Sequence, residues 1–152
     1  MRITIACVGK MREPAQKALL EEYIKRCPWA IAVQEVVAKK PHSGEALQRE
    51  EADLLKGALC NVDRLVILDE RGQNIGSAQF AETLRDWRDG SCQHLGFVIG
   101  GAEGVHPDLR KQAQMLLSFG KLTWPHMLAR IMLTEQLYRA WSILEGHPYH
   151  KV

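Results

Sequence analysis

Two short runs that are apolar almost throughout, RLVIL (Arg64–Leu68) and HLGFVIG (His94–Gly100), constrain this chain more than any other feature. Such a run leaves no alternating polar positions to face water. It therefore reads as a strand covered on both sides, as in a parallel sheet enclosed by helices. The rest of the sequence alternates to match. RITIACV (Arg2–Val8) is a β-branched strand closed by Gly9, and Glu13–Arg26 carries Ala18, Leu19, Tyr23 and Ile24 at helical spacing. AIAVQEVV (Ala30–Val37) is a second strand; after the KKPHSG loop, Glu45–Leu59 reads as a helix. ERGQNIGS follows RLVIL as a loop, with Ser77 as the N-cap of a helix to about Arg88. His106–Leu117 is expected to be a helix with Pro107 in its first turn. A long apolar helix spans His126–Leu144, with His126 placed to cap it. Strand–helix alternation at this spacing predicts an α/β fold, a mostly parallel sheet flanked by helices, as one domain over 1–152.

Composition narrows the class without naming a partner. A net charge of +2 is too small to announce a polyanion. The bases are unevenly spread: from Val105 onward six Lys/Arg face three acids, and four histidines join them. That suits RNA contact or an ordinary solvated surface equally. Cys7, Cys27, Cys60 and Cys92 form no CxxC pair, so neither a zinc knuckle nor a redox dithiol is expected, and no metal is called for. No signal peptide is evident, and no apolar stretch approaches the ~20 residues of a membrane span. A reduced, cytoplasmic protein with no membrane partner is the expectation.

In parallel α/β sheets, ligands sit beyond the carboxyl ends of the strands. Two places qualify: LDERG after RLVIL, and IGGAEG after HLGFV, where Gly100, Gly101 and Gly104 turn the chain towards a helix. GGAEG matches neither GxGxxG nor a Walker A loop. A phosphate-binding enzyme of another kind is a weaker alternative, because Glu103 would repel phosphate there. The last helix is apolar on more than one face. It is either a central core helix or the interface with a second copy, and the cost of exposed apolar patches favours the latter.

VIGGAEG, the stretch LSFGKLTWPHMLARIMLTEQLYRAWSILEGHPYHK and the preceding LDERGQNIGSAQFAETL resemble the RlmH family of ribosomal RNA methyltransferases, of the SPOUT class. The resemblance runs over essentially the whole chain. It implies a knotted fold and a homodimer joined through the C-terminal helix. It also implies S-adenosyl-methionine as cofactor and methylation of N3 of pseudouridine 1915 in the 23S rRNA of the assembled 70S ribosome. A non-catalytic dimeric RNA-binding module of the same fold is the alternative, although its expected sign, a spoiled glycine turn, is absent.

Carried over by position, the resemblance implies a cofactor pocket of Leu68, Gly100 and the run Phe119, Gly120, Lys121, Leu122, Thr123 and Trp124. Relatives often carry serine at Gly120 and phenylalanine or leucine at Trp124. Methyl transfer from a sulfonium is an in-line displacement, so the protein must chiefly align acceptor and donor. The N3 proton must also leave. The resemblance associates the terminal HPYHK and the arginine of LYRA with this work. His150 is the expected proton acceptor, Tyr149 stacks on or hydrogen-bonds the base, and Arg139 with Lys151 holds phosphates or developing charge.

Overall fold

In the computed structural model, which describes residues 1–151, the chain runs β1 (Arg2–Val8), α1 (Pro14–Arg26), β2 (Ala30–Val36), α2 (Gly44–Ala58), β3 (Arg64–Gln73) and α3 (Ser77–Asp89). It continues through β4 (His94–Ile99), α4 (Pro107–Arg110), β5 (Met115–Leu117) and α5 (His126–Leu144), and closes with a 3-10 turn at Pro148–His150. The five strands form one sheet in the order β2-β1-β4-β3-β5, and every neighbouring pair is parallel.

Why both faces must be covered is visible residue by residue. On one face Ile3, Ile5 and Cys7 of β1, Leu95, Phe97 and Ile99 of β4, and Val66 of β3 pack with Phe80, Leu84, Leu133 and Leu137 from α3 and α5. The intervening residues, Ala6, Ile67 and Val98, point the other way and pack with Ala52 and Leu55 of α2 and Leu109 of α4. Alternation along each strand thus feeds two cores rather than a core and a wet surface.

Three expectations are corrected. The helix expected over His106–Leu117 stops after Arg110, and Met115–Leu117 instead extends the sheet as β5. Gln114 docks it: its N–H donates to Leu65 O at 2.9 Å and its Oε1 accepts Leu65 N–H at 2.7 Å. Non-local pairing overrides local helical preference here. The loop expected after Leu68 is strand as far as Gln73, with a register shift between Leu68 and Gln73. Gly72 makes that possible, since a Cβ there would lie 2.5 Å from the backbone of Leu116. Finally, the caps differ. Gly76 rather than Ser77 precedes α3, and Ser77 Oγ donates to Gln136 on α5. His126 makes no cap bond, whereas His106 Nδ1 accepts the N–H of Asp108 at the start of α4.

α5 packs against both α1 and α3 as well as the sheet, and that absorbs most of its apolar surplus within one chain. Ile131 meets Leu20 of α1 and Met11. Leu128 and Leu19 remain about two-fifths exposed, at 40% and 41%. Arg130 is fully buried: Nη1 donates to Glu35 Oε2 at 2.7 Å, and Nη2 to the carbonyls of Gly9 at 3.2 Å and Val8 at 3.4 Å. Glu35 also accepts the N–H of Met11. The first turns of α5 are thereby fixed to the carboxyl ends of β1 and β2.

Candidate functional site

At the carboxyl edge of the sheet, the far part of one strand and two irregular segments close around a cavity of about 310 Å3. The first of the three is Leu68–Arg71 of β3, the second is the Gly100–Val105 turn after β4, and the third is Phe119–Trp124 after β5; His126 and Ala129 of α5 form the floor. Of the residues singled out from sequence, Leu68, Gly100, Phe119, Gly120, Leu122, Thr123 and Trp124 line it. Lys121 belongs to the same segment but is exposed and outside the lining.

The walls hold their shape through local bonds. Ser118, almost fully buried, accepts the N–H of Gly120 on Oγ at 3.1 Å, and its hydroxyl reaches Gly120 O at 3.1 Å and Glu70 O at 3.2 Å. Trp124 Nε1 donates to Phe119 O at 3.2 Å, closing the third segment on itself. A Cβ on Gly100 would lie 2.6 Å from Val105 Cγ2, so only glycine lets the two arms of that turn approach. Asp69 is held by Arg71, through Nε and Nη2 at 2.9 and 2.8 Å, and by Arg110 Nη1 at 3.5 Å. Both arginines thus face a carboxylate. Apolar Leu68, Ile99, Leu117, Leu122 and Trp124 surround backbone N–H and C=O groups, which suits a planar heterocycle with a polar edge.

The proposed catalytic residues gather elsewhere, at the other end of α5. The Tyr149 ring lies on Tyr138 with centroids 4.4 Å apart, and the Arg139 guanidinium sits 5.2 Å from the Tyr149 ring centre. Glu135 joins them: its Oε1 accepts from Tyr149 Oη at 3.0 Å and from Arg139 Nε and Nη2 at 2.9 and 2.6 Å. Ser142 holds the turn, accepting His150 N–H at 3.2 Å while its hydroxyl donates to His147 O at 2.9 Å; His150 Nδ1 lies 3.1 Å from the same Oγ. His147 Nδ1 accepts Tyr149 N–H. The tail is thus tied down, not frayed. Burial pushes the Tyr149 phenol up, reinforced by hydrogen bonding with Tyr23 and Glu135. The bond to Glu135 likewise raises Arg139. Tyr149 therefore keeps its proton at neutral pH and acts as a donor, not a base.

The two clusters are well separated. Ala129 and Arg139 are ten residues apart on α5, about 15 Å along its axis. Between them lies a second cavity of about 440 Å3, bordered by Leu19, Tyr23, Phe80, Met132 and Glu135, which shares Leu117 and Phe119 with the first. Glu135 and Arg139 stand one turn apart on the helix, a spacing the sequence carries, whereas the contact of Glu135 with Tyr149 spans the helix end and has no local signal. LDERG is marked from sequence as a place for a ligand, but the contact of Asp69 with Arg110 and the bonds of Ser118 to Glu70 depend on partners distant in the chain and carry no local signal.

Among the described residues no helix is long and apolar enough to cross a membrane. A family model described as "Predicted SPOUT methyltransferase" matches residues 1–150. The chain is 48% identical over 151 residues to a "Ribosomal RNA large subunit methyltransferase H" of Paramagnetospirillum magneticum, covering 99% of each chain. It is 50% identical over 151 residues to the protein of the same name from Rhodospirillum centenum, again covering 99% of each. Among solved structures, a probable methylase family protein from Haemophilus influenzae matches with a TM-score of 0.60 at 10% identity, over 97% of this chain and 69% of that one.

Proposed function

The chain belongs to the SPOUT methyltransferase family, and from that premise we propose that it methylates large-subunit ribosomal RNA, taking the methyl group from S-adenosyl-methionine. The acceptor is N3 of pseudouridine 1915 of 23S rRNA, reached on the assembled ribosome in the cytoplasm. The observation that carries the reading is the 310 Å3 pocket, which gathers seven residues scattered from Leu68 to Trp124. Its residues fit the donor: the apolar walls suit adenine, and the loop backbone suits the adenine edge. When bound, the donor supplies a methyl group already activated on a sulfonium. The trefoil knot belongs to the same reading, favoured by the return of the chain after edge strand β5 past the Gly100 turn to α5.

The remaining chemistry falls to the tail, and distance favours a second copy. His150 lies five residues beyond Glu145, a reach of at most about 18 Å even fully extended. Ala129 in the pocket floor lies 16 residues before Glu145, about 24 Å along the helix axis. Tied to Ser142 and Glu135, the tail stays beside the far half of α5, which favours a composite working site, the tail of one protomer over the donor pocket of its partner in a homodimer. Exposed Leu19 and Leu128, with the larger cavity along α1 and α5, supply an apolar face for that pairing. In this arrangement His150 takes the N3 proton, Tyr149 stacks on or donates to the base, and Arg139 with Lys151 meets phosphate or developing charge. Two measurements test the reading. Calorimetry should show S-adenosyl-methionine binding where ATP does not. Ribosomes from cells lacking the protein should lack N3-methylpseudouridine; a retained modification would overturn the substrate.

A further inference from the structure

The Gly100–Val105 turn, one wall of the donor pocket, rests on two side chains of α2. Gln48 Nε2 donates to Glu103 O, and the carboxylate of Glu51 lies directly against Gly101. A Cβ built on Gly101 would lie 3.0 Å from Glu51 Oε2 and 3.1 Å from Oε1, so only the glycine backbone separates this acid from the pocket. Glu51 is 6% exposed, and its Oε2 has no hydrogen-bond partner.

Its surroundings are unusual for a buried acid. Among the described residues no Lys, Arg or His makes an ion pair with it. The charged groups that face it are Glu50 on its own helix and Glu103 in the turn, both acidic, and the β1 side chain on the same side of Gly101 is the apolar Val8. His106, at the start of α4, faces Glu45 and Asp108 instead, and Arg110 is engaged by Asp69. Burial raises the proton affinity of Glu51, and Glu103 and Glu50 raise it further. A buried carboxylate with no cation is costly and holds its proton until a positive charge arrives.

The donor brings such a charge, and the reaction removes it. S-adenosyl-methionine and S-adenosyl-homocysteine share every ionisable group; they differ in the methyl group and in the positive sulfonium that becomes a neutral thioether. We propose that Glu51 senses this charge: it is neutral in the empty and product-bound protein and ionised beneath the donor, so that the site favours donor over product. This rests on the donor reading above. Donor binding drives a proton from Glu51 to solvent; once methyl transfer has neutralised the sulfur, Glu51 takes a proton back and the product is held less tightly. Glu51 touches neither reacting atom and acts only through its charge, as a positioning residue for the donor.

The test is calorimetric titration of the full-length wild-type protein with each ligand, in phosphate and in Tris, whose different ionisation enthalpies report protons released. S-adenosyl-methionine should release more protons than S-adenosyl-homocysteine. The affinity ratio of the two should grow with pH, by no more than about tenfold per pH unit for a single proton. In Glu51→Gln the difference in proton release should vanish and the ratio should become flat with pH. Equal proton release by both ligands in the wild type overturns the proposal on its own, whether or not the variant folds; so does a pH-dependent ratio that survives in Glu51→Gln. If neither ligand binds, the donor reading falls and this proposal with it.

Discussion

The two ends of α5 are built by opposite means. At its start, the pocket is made of backbone: the far part of β3 and two loops after β4 and β5, held by Ser118, by the close turn at Gly100 and by Arg130 anchored on Glu35. At its finish, the cluster is made of side chains: Tyr149, Arg139 and His150 gathered on Glu135 and Ser142. A backbone pocket tolerates side-chain change but not a change of path. A side-chain cluster can be dismantled one group at a time without disturbing the sheet. Binding and chemistry are therefore expected to fail separately.

Removing everything after Gly146 gives the sharpest separation. Methyl transfer to ribosomes should fall by about a thousandfold or more, the scale of lost proton transfer plus positioning, with donor affinity by calorimetry unchanged. Mixing that truncation with a pocket-dead Gly100 variant should restore part of the activity through mixed dimers; no recovery would return the tail to its own chain.

Arg130→Met attacks the pocket end. Arg130 is fully buried but Glu35 is about a third exposed, so losing their charged hydrogen bond should cost about 2–3 kcal/mol, visible as a lower urea midpoint. Gly100→Ala is milder in stability but specific in function. Its Cβ meets Val105, and overpacking of about 1–3 kcal/mol should weaken donor binding by roughly tenfold to a hundredfold while the tail cluster stays intact. Tyr149→Phe touches only the other end. It removes one bond to Glu135, at a cost of about 1 kcal/mol, with the same donor affinity.

The smallest effect concerns the unliganded protein and pH. Glu51 has a raised proton affinity in the folded state, so its contribution to stability is fully present below the ordinary carboxylate range. That contribution is lost as pH rises through the folded value. Glu51→Gln should therefore be the more stable protein at pH 8, with the gap closing towards pH 4, as thermal melts at the two pH values would report.

Much of this arrangement could be read from the chain alone, for identifiable reasons. β1, β4 and α5 were legible because their apolar periods are strong and their ends are marked by Gly9, Gly100 and Pro125. The pocket residues came from resemblance, and the structure gathers all but Lys121. β5 and the far half of β3 were illegible because MLL becomes strand only by pairing with Val66–Leu68, and the far half of β3 meets β5 only at Gln73, across a register shift; MLL by itself suits a helix. Glu51 and Arg130 were hidden in runs, REEAD and LARIM, whose charges read as solvated. Whether a charged residue is buried depends on what lies above it, and no local pattern records that.

The anchoring of Arg130 also bears on how the protein comes into being. The chain emerges from the ribosome amino end first, so β1 and β2 are free to form early. Their carboxyl ends, Val8, Gly9 and Glu35, wait for a partner that is synthesised almost last. The floor of the pocket is therefore laid only when translation is nearly over. A nascent or prematurely terminated polypeptide, even one with most of its sheet in place, would have no seat for a methyl donor.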